Sequence, residues 1–458
     1  MRETSEAAAG SAEDLAEKAV AGKRWRVWVV LFWLAFCLYA GVSLRRTAKD
    51  AFARDQAALL DTQRDLKIND FEGFYRASLR MSRREIMYFP NTKEREEMPS
   101  KHGPFFETLL LPLVPLGPAW AAILFQLLSF AALAGSLLLG QRYVEGYAQA
   151  LWSKPLSPWT AIAGLALLIP FVHLAVRYNQ SVFLMVFLTL LGLGNLQKRP
   201  LLGGFLLALP GVIKLLPLVL GPWLFWKKEL RPALGWVLGI LLSFVPFFLH
   251  QGWDLGLRQL ESYEHMILVD SSFGAYHERF QGLPAFINGT LVEHYAPDME
   301  SAAQNHDWQG VRNFLGATPL APYRKQIALL ACGLLILVCA FACRRHHPET
   351  ALRWLGELGL VLMAMLLISP HTWKHYLWWY FPAVLYASAA FQSPEARERR
   401  FAKIFLLIVL LTLSLPHRSL FPGILWQTWH VFHGFALGGT LAFLILGIHL
   451  IRTQACEP

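Results

Sequence analysis

Residues 198–228 read KRPLLGGFLLALPGVIKLLPLVLGPWLFWKK, and this stretch decides the fold. Its apolar run is long enough to enter a membrane, but Pro210 and Pro217 interrupt a helix on either side of Lys214. Basic pairs precede and follow the run, and such pairs favour the cytoplasmic side of a membrane. The pattern therefore predicts a broken, re-entrant-like hairpin over 200–226, made of two half-length helices that begin and end on the same side.

The rest of the chain has the same apolar character. Of its 458 residues, 55% are hydrophobic and only 16% are charged, too few charges to cover a soluble fold of this length. A hydrocarbon core of roughly 30 Å takes about 20 helical residues to cross. Apolar runs near that length lie at 25–44, 118–140, 158–175, 180–196, 232–249, 326–343, 352–369, 376–391, 403–416 and 429–450. With the hairpin, the sequence predicts an all-α polytopic membrane protein with about twelve membrane-embedded helical segments.

The basic residues indicate the topology of the chain and not a nucleic-acid partner. Although the net charge is +10, lysine and arginine lie mostly at the ends of apolar runs and in the first long loop, where they meet lipid headgroups. Arg45, Arg46 and Lys49 are the exception, because they follow the first segment on the outer side. With twelve segments, both termini face the cytoplasm, and so do the basic loops at 142–154, 198–199, 227–231, 344–353 and 397–403.

This topology predicts an integral, multi-pass membrane protein, in the plasma membrane if the source is bacterial. Residues 1–24 form a cytoplasmic tail, 25–391 a membrane module, and 392–458 the C-terminal membrane helices with a short tail. Two long extracytoplasmic loops, 45–104 and 250–325, contain aromatic and acidic residues. We therefore expect the functional site on the extracytoplasmic side.

The first of these loops contains a candidate catalytic carboxylate within INDFEGFYRASLRMSRREIMYFP, residues 68–90. After Asp70, apolar residues recur at helical spacing among arginines, which predicts a helix lying in the headgroup layer. Asp70 would cap this helix, or it would take a proton from a sugar hydroxyl as that oxygen attacks an anomeric carbon. Asp65 and Glu72 are weaker candidates for the second task.

Two further groups of polar residues lie in or beside apolar segments. Lys214 carries a charge inside the membrane, so it would meet a lipid phosphate, snorkel to the surface or pair with a carboxylate. The stretch SPHTWKHYLWWY, residues 369–380, contains His371, Trp373 and His375. Imidazoles suit a phosphate and indoles suit a sugar face, whereas the alternative is an interfacial aromatic belt that accounts for Trp378 and Trp379.

Arg177 and Gln180 lie in another polar outer turn, which by itself would be a solvated connection or part of a site. The histidines of the second loop lack the spacing of metal ligands, so no metal site is predicted.

Taken in order, these features resemble glycosyltransferase family 87 over roughly residues 25–386. The resemblance rests on DFEGFYRA at 70–77, a proline-punctuated segment at 104–118, RYNQ at 177–180, IKLLP at 213–217 and SPHTWKHY at 369–376. It implies a membrane enzyme of GT-C type, a class that includes polyprenol-phosphate-mannose-dependent α-mannosyltransferases. It also implies that Asp70 is the base and that Gln180, Lys214, Pro217, Trp373 and His375 occupy the family's motif positions.

Two positions depart from the family pattern. Asn179 stands where the family usually has glycine, and HERFQG at 277–282 stands where a motif with asparagine, glutamine and serine is expected.

The implied reaction moves a hexose, expected to be mannose, from a polyprenyl-phosphate donor to the hydroxyl of a glycolipid, glycan or protein, with inversion. The residues expected to bind the donor phosphate and the substrate are Lys214, His375, Trp373, Arg177, Gln180 and His371. Because these cationic and imidazole donors could stabilise the departing phosphate, no metal or other cofactor is expected. The rival interpretation is a polyprenyl-linked sugar carrier or other membrane transporter without catalysis, which needs no acid at Asp70.

Overall fold

The computed structural model describes most of the chain: residues 28–52, 70–88, 100–152, 156–157, 159–270, 281–297, 312–344, 351–416, 425, 428–429 and 432–454. Six helices among these residues are long and apolar enough to cross a membrane: Trp28–Phe52, Pro104–Gly146, Thr160–Arg177, Leu230–Gln251, Ala321–Ala342 and Gly434–Thr453. Shorter apolar helices lie at Val182–Asn195, Pro200–Ile213, Leu216–Trp226 and Leu283–Val292. The structure is therefore an all-α polytopic membrane protein, which confirms the fold class.

Helices form nearly all of the N-terminal half. In chain order they are α1 (Trp28–Phe52), α2 (Phe71–Ser82), α3 (Pro104–Leu110), α4 (Gly117–Trp152), α5 (Thr160–Arg177), α6 (Val182–Asn195), α7 (Pro200–Ile213), α8 (Leu220–Trp226) and α9 (Leu230–Gln251). A 3₁₀ turn at Leu111–Leu116 joins α3 to α4, and another at Leu216–Val219 precedes α8.

The C-terminal half adds seven described helices and one small sheet. They are α10 (Trp253–Asp270), α11 (Leu283–Phe286), β1 (Glu293–Pro297), β2 (Arg312–Ala317), α12 (Arg324–Ala342), α13 (Ala351–Ile368), α14 (Phe381–Ala390), α15 (Ala396–Ile408) and α16 (Gly434–Gln454). The two strands pair antiparallel, with Glu293 opposite Ala317 and Pro297 opposite Arg312.

The broken hairpin is confirmed. Helix α7 ends at Ile213, Lys214 has extended backbone angles, and α8 then leads back to Lys227. Helix α9 packs along α7 in the same direction: Gly235 faces the Leu201 backbone, and Gly239 faces Phe205 and Ala208. Because α9 starts beside the start of α7, residues 214–229 must return the chain to the level of residue 200.

The close contact between α7 and α9 depends on glycine. A Cβ atom at Gly204 would collide with the carbonyl oxygen of Pro232, and one at Gly235 would collide with that of Leu201. Small residues let helix backbones approach in a membrane, where there is no hydrophobic drive to bring helices together.

The centre of the molecule lies around α13 and α14. All of residues 352–367 and 374–390 are buried. The indoles of Trp378 and Trp379 are 0% and 2% exposed, so the interpretation that they form an interfacial aromatic belt is wrong. The exposed leucines of α9 and α12 instead supply apolar surface for lipid.

Several element boundaries differ from those predicted. Helix α1 continues to Phe52, well beyond the predicted end at residue 44. Helix α4 has 36 residues and includes most of the predicted loop at 142–154, so it extends roughly 20 Å beyond a 30 Å core. The second long loop contains α10 and the small sheet, neither of which was predicted.

Candidate active site

Helix α2 is held against the rest of the protein by aromatic rings and buried hydrogen bonds. Phe71 stacks on Phe125 of α4 with ring centroids 5.2 Å apart, and Phe74 lies edge-on to Phe106 of α3 at 5.4 Å. Glu107 accepts hydrogen bonds from Ser78 at 3.0 Å and from Ser100 at 2.5 Å. These contacts fix the N-terminal end of α2, where Asp70 lies.

Most of helix α2 is buried against the rest of the protein, and its place in the headgroup layer stays a prediction. Its residues Glu72 and Arg76 are 1% and 6% exposed and form an ion pair at 2.7 Å. The sequence shows arginines at intervals but not which of them the tertiary structure buries. Glu72, a weaker base candidate, is thus held by a cation on its own helix, and Asp65 lies outside the described residues.

The interpretation of Asp70 as a side-chain helix cap is also wrong. Asp70 occupies the N-cap position of α2, but its side chain makes no capping hydrogen bond. Its Oδ2 instead accepts a hydrogen bond from Nε2 of Gln180, a buried residue 110 positions further along the chain. The carboxylate is therefore directed to the turn that follows α5, and Oδ1 accepts no hydrogen bond from a described residue.

The environment raises the pKa of Asp70 from 3.8 to about 6. Burial is the main cause, because it disfavours the charged form; the positive charge of Lys214 and the hydrogen bond from Gln180 oppose it. A carboxylate with a pKa of about 6 is ionised at neutral pH and still basic enough to accept a proton.

Lys214 occupies the break between α7 and the following 3₁₀ turn. Its Nζ donates a hydrogen bond to the hydroxyl of Tyr376 and lies 4.1 Å from the centroid of that ring. It acts electrostatically on Asp70, which lies on a different element. The side chain therefore extends into the protein, and the snorkelling interpretation is wrong.

His375 contacts the same tyrosine. Its ring stacks on Trp373, with centroids 6.2 Å apart and planes at 15°, and meets Tyr376 edge-on at 4.3 Å. The residue is 5% exposed, and its Nε2 has no hydrogen-bond partner among the described residues. Lys214 acts on His375 electrostatically. A buried nitrogen without a partner suits a ligand that supplies the missing hydrogen bond.

His102 belongs to the same cluster, and the sequence did not indicate it. Its Nε2 is 2.8 Å from the hydroxyl of Ser181, and its ring centroid is 4.2 Å from that of Phe74. Burial, with the electrostatic effect of Lys214 and His375, holds the pKa of His102 well below its usual value. The one available signal was its position just before a helix that begins with proline, in KHGP at 101–104.

Four segments distant in sequence therefore bring together one carboxylate, one ammonium and two imidazoles. Lys214 acts electrostatically on each of the other three groups: Asp70, His102 and His375. The backbone holds this arrangement, since the Gly103 amide donates to the Ile213 carbonyl at 2.9 Å. A proton acceptor and donors suited to an anion thus lie within one site.

The structure shows the backbone conformation at one departure from the family pattern and the contacts at the end of the other. Asn179 has φ +50°, a conformation that favours glycine and that asparagine tolerates better than most residues. Residues 277–280 lie outside the described part, but Gln281 donates its backbone N–H to Thr372 at 2.7 Å. A Cβ atom at Gly282 would collide with the carbonyl of Ser369. The end of the HERFQG segment thus lies against the SPHTWKHY turn.

The remaining predicted site residues are Arg177 and His371. Arg177 is exposed and lines a separate cleft with Arg46 and His173. No contact between described residues joins it to Asp70, Lys214 or His375. His371 lies in the SPHTWKHY turn, where its backbone N–H donates to Ser369 Oγ at 3.2 Å. Among the described residues, no group of three or more His, Cys, Asp or Glu side chains could hold a metal ion.

Comparison with known proteins identifies the family. The model of glycosyltransferase family 87 matches residues 102–370, more than half of the chain, including Gln180 and Lys214 but not Asp70 or His375. The fold is similar to the crystal structure of ArnT from Cupriavidus metallidurans bound to undecaprenyl phosphate, with 15% sequence identity, a TM-score of 0.34, and coverage of 93% of this chain and 78% of that one. No curated protein matches the chain. The family match decides the assignment: this chain belongs to glycosyltransferase family 87 and is a polytopic membrane glycosyltransferase.

Proposed function

We propose that the protein transfers a hexose, mannose in the first instance, from a polyprenyl-phosphate donor to an acceptor hydroxyl at the extracytoplasmic face, with inversion. The observation that carries the proposal is that Lys214 acts electrostatically on the buried carboxylate of Asp70. The carboxylate has a raised pKa of about 6, and the Lys214 ammonium donates a hydrogen bond to Tyr376. Together these two groups can accept a proton and stabilise an anion in one step.

Asp70 is assigned the role of general base. As the acceptor oxygen attacks the anomeric carbon, its proton passes to the carboxylate and the bond from that carbon to the phosphate oxygen breaks. Gln180 donates to Oδ2 and so leaves Oδ1 for the incoming proton. A single displacement of this kind inverts the anomeric centre and converts a β-linked donor to an α-linked product.

Lys214, His375 and His102 are assigned to the leaving phosphate. The bond that breaks leaves both bonding electrons on the phosphate oxygen, so negative charge grows where these donors lie. In a site shielded from water, an ammonium and an imidazole N–H stabilise that charge more strongly than in water. The orphaned Nε2 of His375 is the atom we assign to a phosphate oxygen.

The surroundings of Lys214 support a lipid-linked donor. Its neighbour Leu215 is 40% exposed on a helix break between two apolar half-helices. A phosphate on a long hydrocarbon chain can reach such a position from the bilayer, whereas a nucleotide sugar would leave this apolar surface uncovered. Mannose as the sugar rests on the family resemblance, and the acceptor is a glycolipid, a glycan or a protein.

The test is a donor panel with the purified full-length protein. Polyprenyl-phosphate mannose, glucose, galactose and arabinose are supplied in turn with a membrane-lipid extract as acceptor, and released polyprenyl phosphate is measured. We expect release with the mannosyl donor, at the same rate with and without EDTA. Release with another sugar only would overturn the assignment of mannose, and release with none of them would overturn the donor class.

A transporter without catalysis is the second candidate, and the site itself weighs against it. A carrier built on alternating access is expected to hold its substrate between related halves near the midplane. Here the titratable groups cluster where the 102–103 segment, the α5–α6 turn and the hairpin break meet. Movement of intact polyprenyl-phosphate sugar across vesicles, without release of polyprenyl phosphate, would favour the carrier.

A further inference from the structure

Arg177 belongs to a second polar cleft, formed between α1, α4 and α5. The cleft is a shallow surface depression with a cavity volume of only about 30 Å³. It is lined by Tyr39, Ser43, Arg46, Thr47, Asp50, Gln126, His173, Val176 and Arg177. None of these residues takes part in the proposed transfer, and those from α1 precede the segment that matches the family.

The cleft carries net positive charge. The guanidinium groups of Arg46 and Arg177 both act electrostatically on His173. The carboxylate of Asp50 lies 3.9 Å from Arg46 and offsets one of these charges, in an exposed pair of the kind that contributes little. An anion between the two guanidinium groups would relieve their repulsion, and the planar guanidinium matches the oxygens of a phosphate.

Neutral hydrogen-bonding groups complete the walls of the cleft. The Tyr39 hydroxyl is 3.0 Å from Nδ1 of His173. The side chain of Gln126 is buried and donates through Nε2 to the Val176 carbonyl at 3.4 Å. Its Oε1 has no hydrogen-bond partner in the described part of the chain. The cleft can therefore accept a hydrogen bond from a ligand hydroxyl as well as bind an anion.

Exposed apolar side chains lead from the cleft along both helices. On α5, Ile169 is 55% exposed and lies on the same face as His173 and Arg177. On α1, Leu38 and Val42 are 71% and 62% exposed and flank the residues that line the cleft. A ligand with both an anionic head and acyl chains would contact the polar cleft and the apolar side chains beside it. A free phosphate ion would contact only the polar cleft.

We propose that this cleft binds the phosphate headgroup of an anionic membrane lipid, with Arg46 and Arg177 on the phosphate and the acyl chains along Leu38, Val42 and Ile169. The site is separate from Lys214 and does not depend on the proposed reaction. It also gives a role to Arg46, one of the basic residues that depart from the positive-inside pattern. Basic pockets between membrane helices bind lipid headgroups on the cytoplasmic side of membranes, and this cleft would do so on the predicted outer side.

The test measures lipid binding to the purified full-length protein in neutral detergent, with phosphatidylglycerol and phosphatidylcholine as probes. We expect wild type to bind phosphatidylglycerol more tightly, and Arg46→Gln/Arg177→Gln to lose about tenfold or more of that affinity. The matched control is Arg45→Gln, which removes the same charge from the adjacent exposed position on α1 and should bind as wild type does. Lys214→Met should also retain binding, because its site is distinct.

Three results would overturn the proposal. Equal affinity for the two lipids would show that the cleft does not select an anionic headgroup. If Arg45→Gln lost as much affinity as the double variant, the binding would be a general attraction to surface charge. Glycerol phosphate binding as tightly as phosphatidylglycerol would identify a free phosphate ester as the ligand. If the double variant does not fold, Arg177→Gln alone gives the same comparison.

Discussion

At the scale of single residues, Asp70 depends on a partner from a distant element. Gln180 orients its carboxylate, and burial raises its pKa to about 6. Since the folded-state pKa lies above the unfolded value of 3.8, protonated Asp70 stabilises the fold at low pH, and this contribution is lost as the pH rises through about 6. Ionised Asp70 therefore lowers stability at pH 7, which is typical of a group retained for function.

Asp70→Asn separates a catalytic from a structural role. The amide can still accept the hydrogen bond from Gln180 but cannot accept a proton, so turnover should fall by about 10²–10⁴-fold. The melting temperature should be unchanged or higher, because a buried charge is removed. Glu72→Gln is the contrasting control, since it leaves Arg76 buried without its carboxylate and should lower the melting temperature. Wild-type turnover by Asp70→Asn would exclude Asp70 as the base.

The pH profile provides a second test at this scale. Below about pH 6, Asp70 is protonated and cannot act as a base, so kcat/KM should fall about tenfold per pH unit on the acid side. Lys214 lowers this pKa, so Lys214→Met should move the acid limb to higher pH. Lys228→Gln, an exposed lysine at the other end of the hairpin, should leave the limb in place. If the acid limb of the kcat/KM profile stays in place in Lys214→Met, Lys214 does not lower the pKa of Asp70.

At the scale of elements, the hairpin of α7 and α8 determines the sidedness of all later segments. If the chain returns to its starting side, Lys198→Cys and Lys228→Cys should react with a membrane-impermeant thiol reagent from the same side, the cytoplasmic one. Both lysines are exposed. The experiment uses intact cells and inverted vesicles, in a background without Cys37, which is also exposed. Labelling from opposite sides would rule out the hairpin.

The contact between α7 and α9 can be tested with alanine. In Gly204→Ala the new methyl group meets the Pro232 carbonyl, and overpacking of this kind costs typically about 1–3 kcal/mol. Gly194→Ala on α6 is the matched control, because nothing lies within 4 Å of its added Cβ and alanine favours the helix. We expect the melting temperature to fall in the first variant and to hold or rise in the second. Equal behaviour would show that α7 and α9 are not in backbone contact.

At the scale of the whole molecule, a buried ion network joins the hairpin to the central helix α13. Lys227 Nζ lies 2.8 Å from Oε2 of Glu357, and Arg353 Nε lies 3.1 Å from Oε1; Lys227 and Glu357 are 0% exposed. Lys227 also lies over the ring of Trp354, 5.3 Å from its centroid. The network fixes the end of α8 against the core, and with it the depth at which Lys214 lies.

Removing the shared carboxylate should destabilise the whole protein. Glu357→Gln removes the carboxylate that two buried cations share, and breaking a buried pair in this way costs about 3–5 kcal/mol. Thermal unfolding in detergent measures the loss. Asp50→Asn, which breaks an exposed pair with Arg46, should lose at most about 1 kcal/mol. Equal melting temperatures for the two variants would show that the network contributes nothing beyond a surface pair.

The sequence alone determined the features that depend on residues near one another in the chain. A run of apolar residues must form a helix in lipid whatever surrounds it, so the all-α membrane fold was predictable. Two prolines bracketing Lys214, with basic pairs outside them, were enough to predict the hairpin, because proline breaks a helix locally. The order of short motifs was enough to indicate the family.

Only the tertiary structure decided which polar groups meet. Asp70 and Gln180, or His102 and Ser181, are joined across long stretches of chain, and no periodicity records such a contact. Burial was also undetermined: Arg76, Trp378 and Lys227 look like surface or interfacial residues until neighbouring helices cover them. Arg177 lies only three positions before Gln180, yet the end of α5 directs it to a different cleft. Side-chain direction at a helix end depends on what packs against it, and that information is distributed over the whole fold.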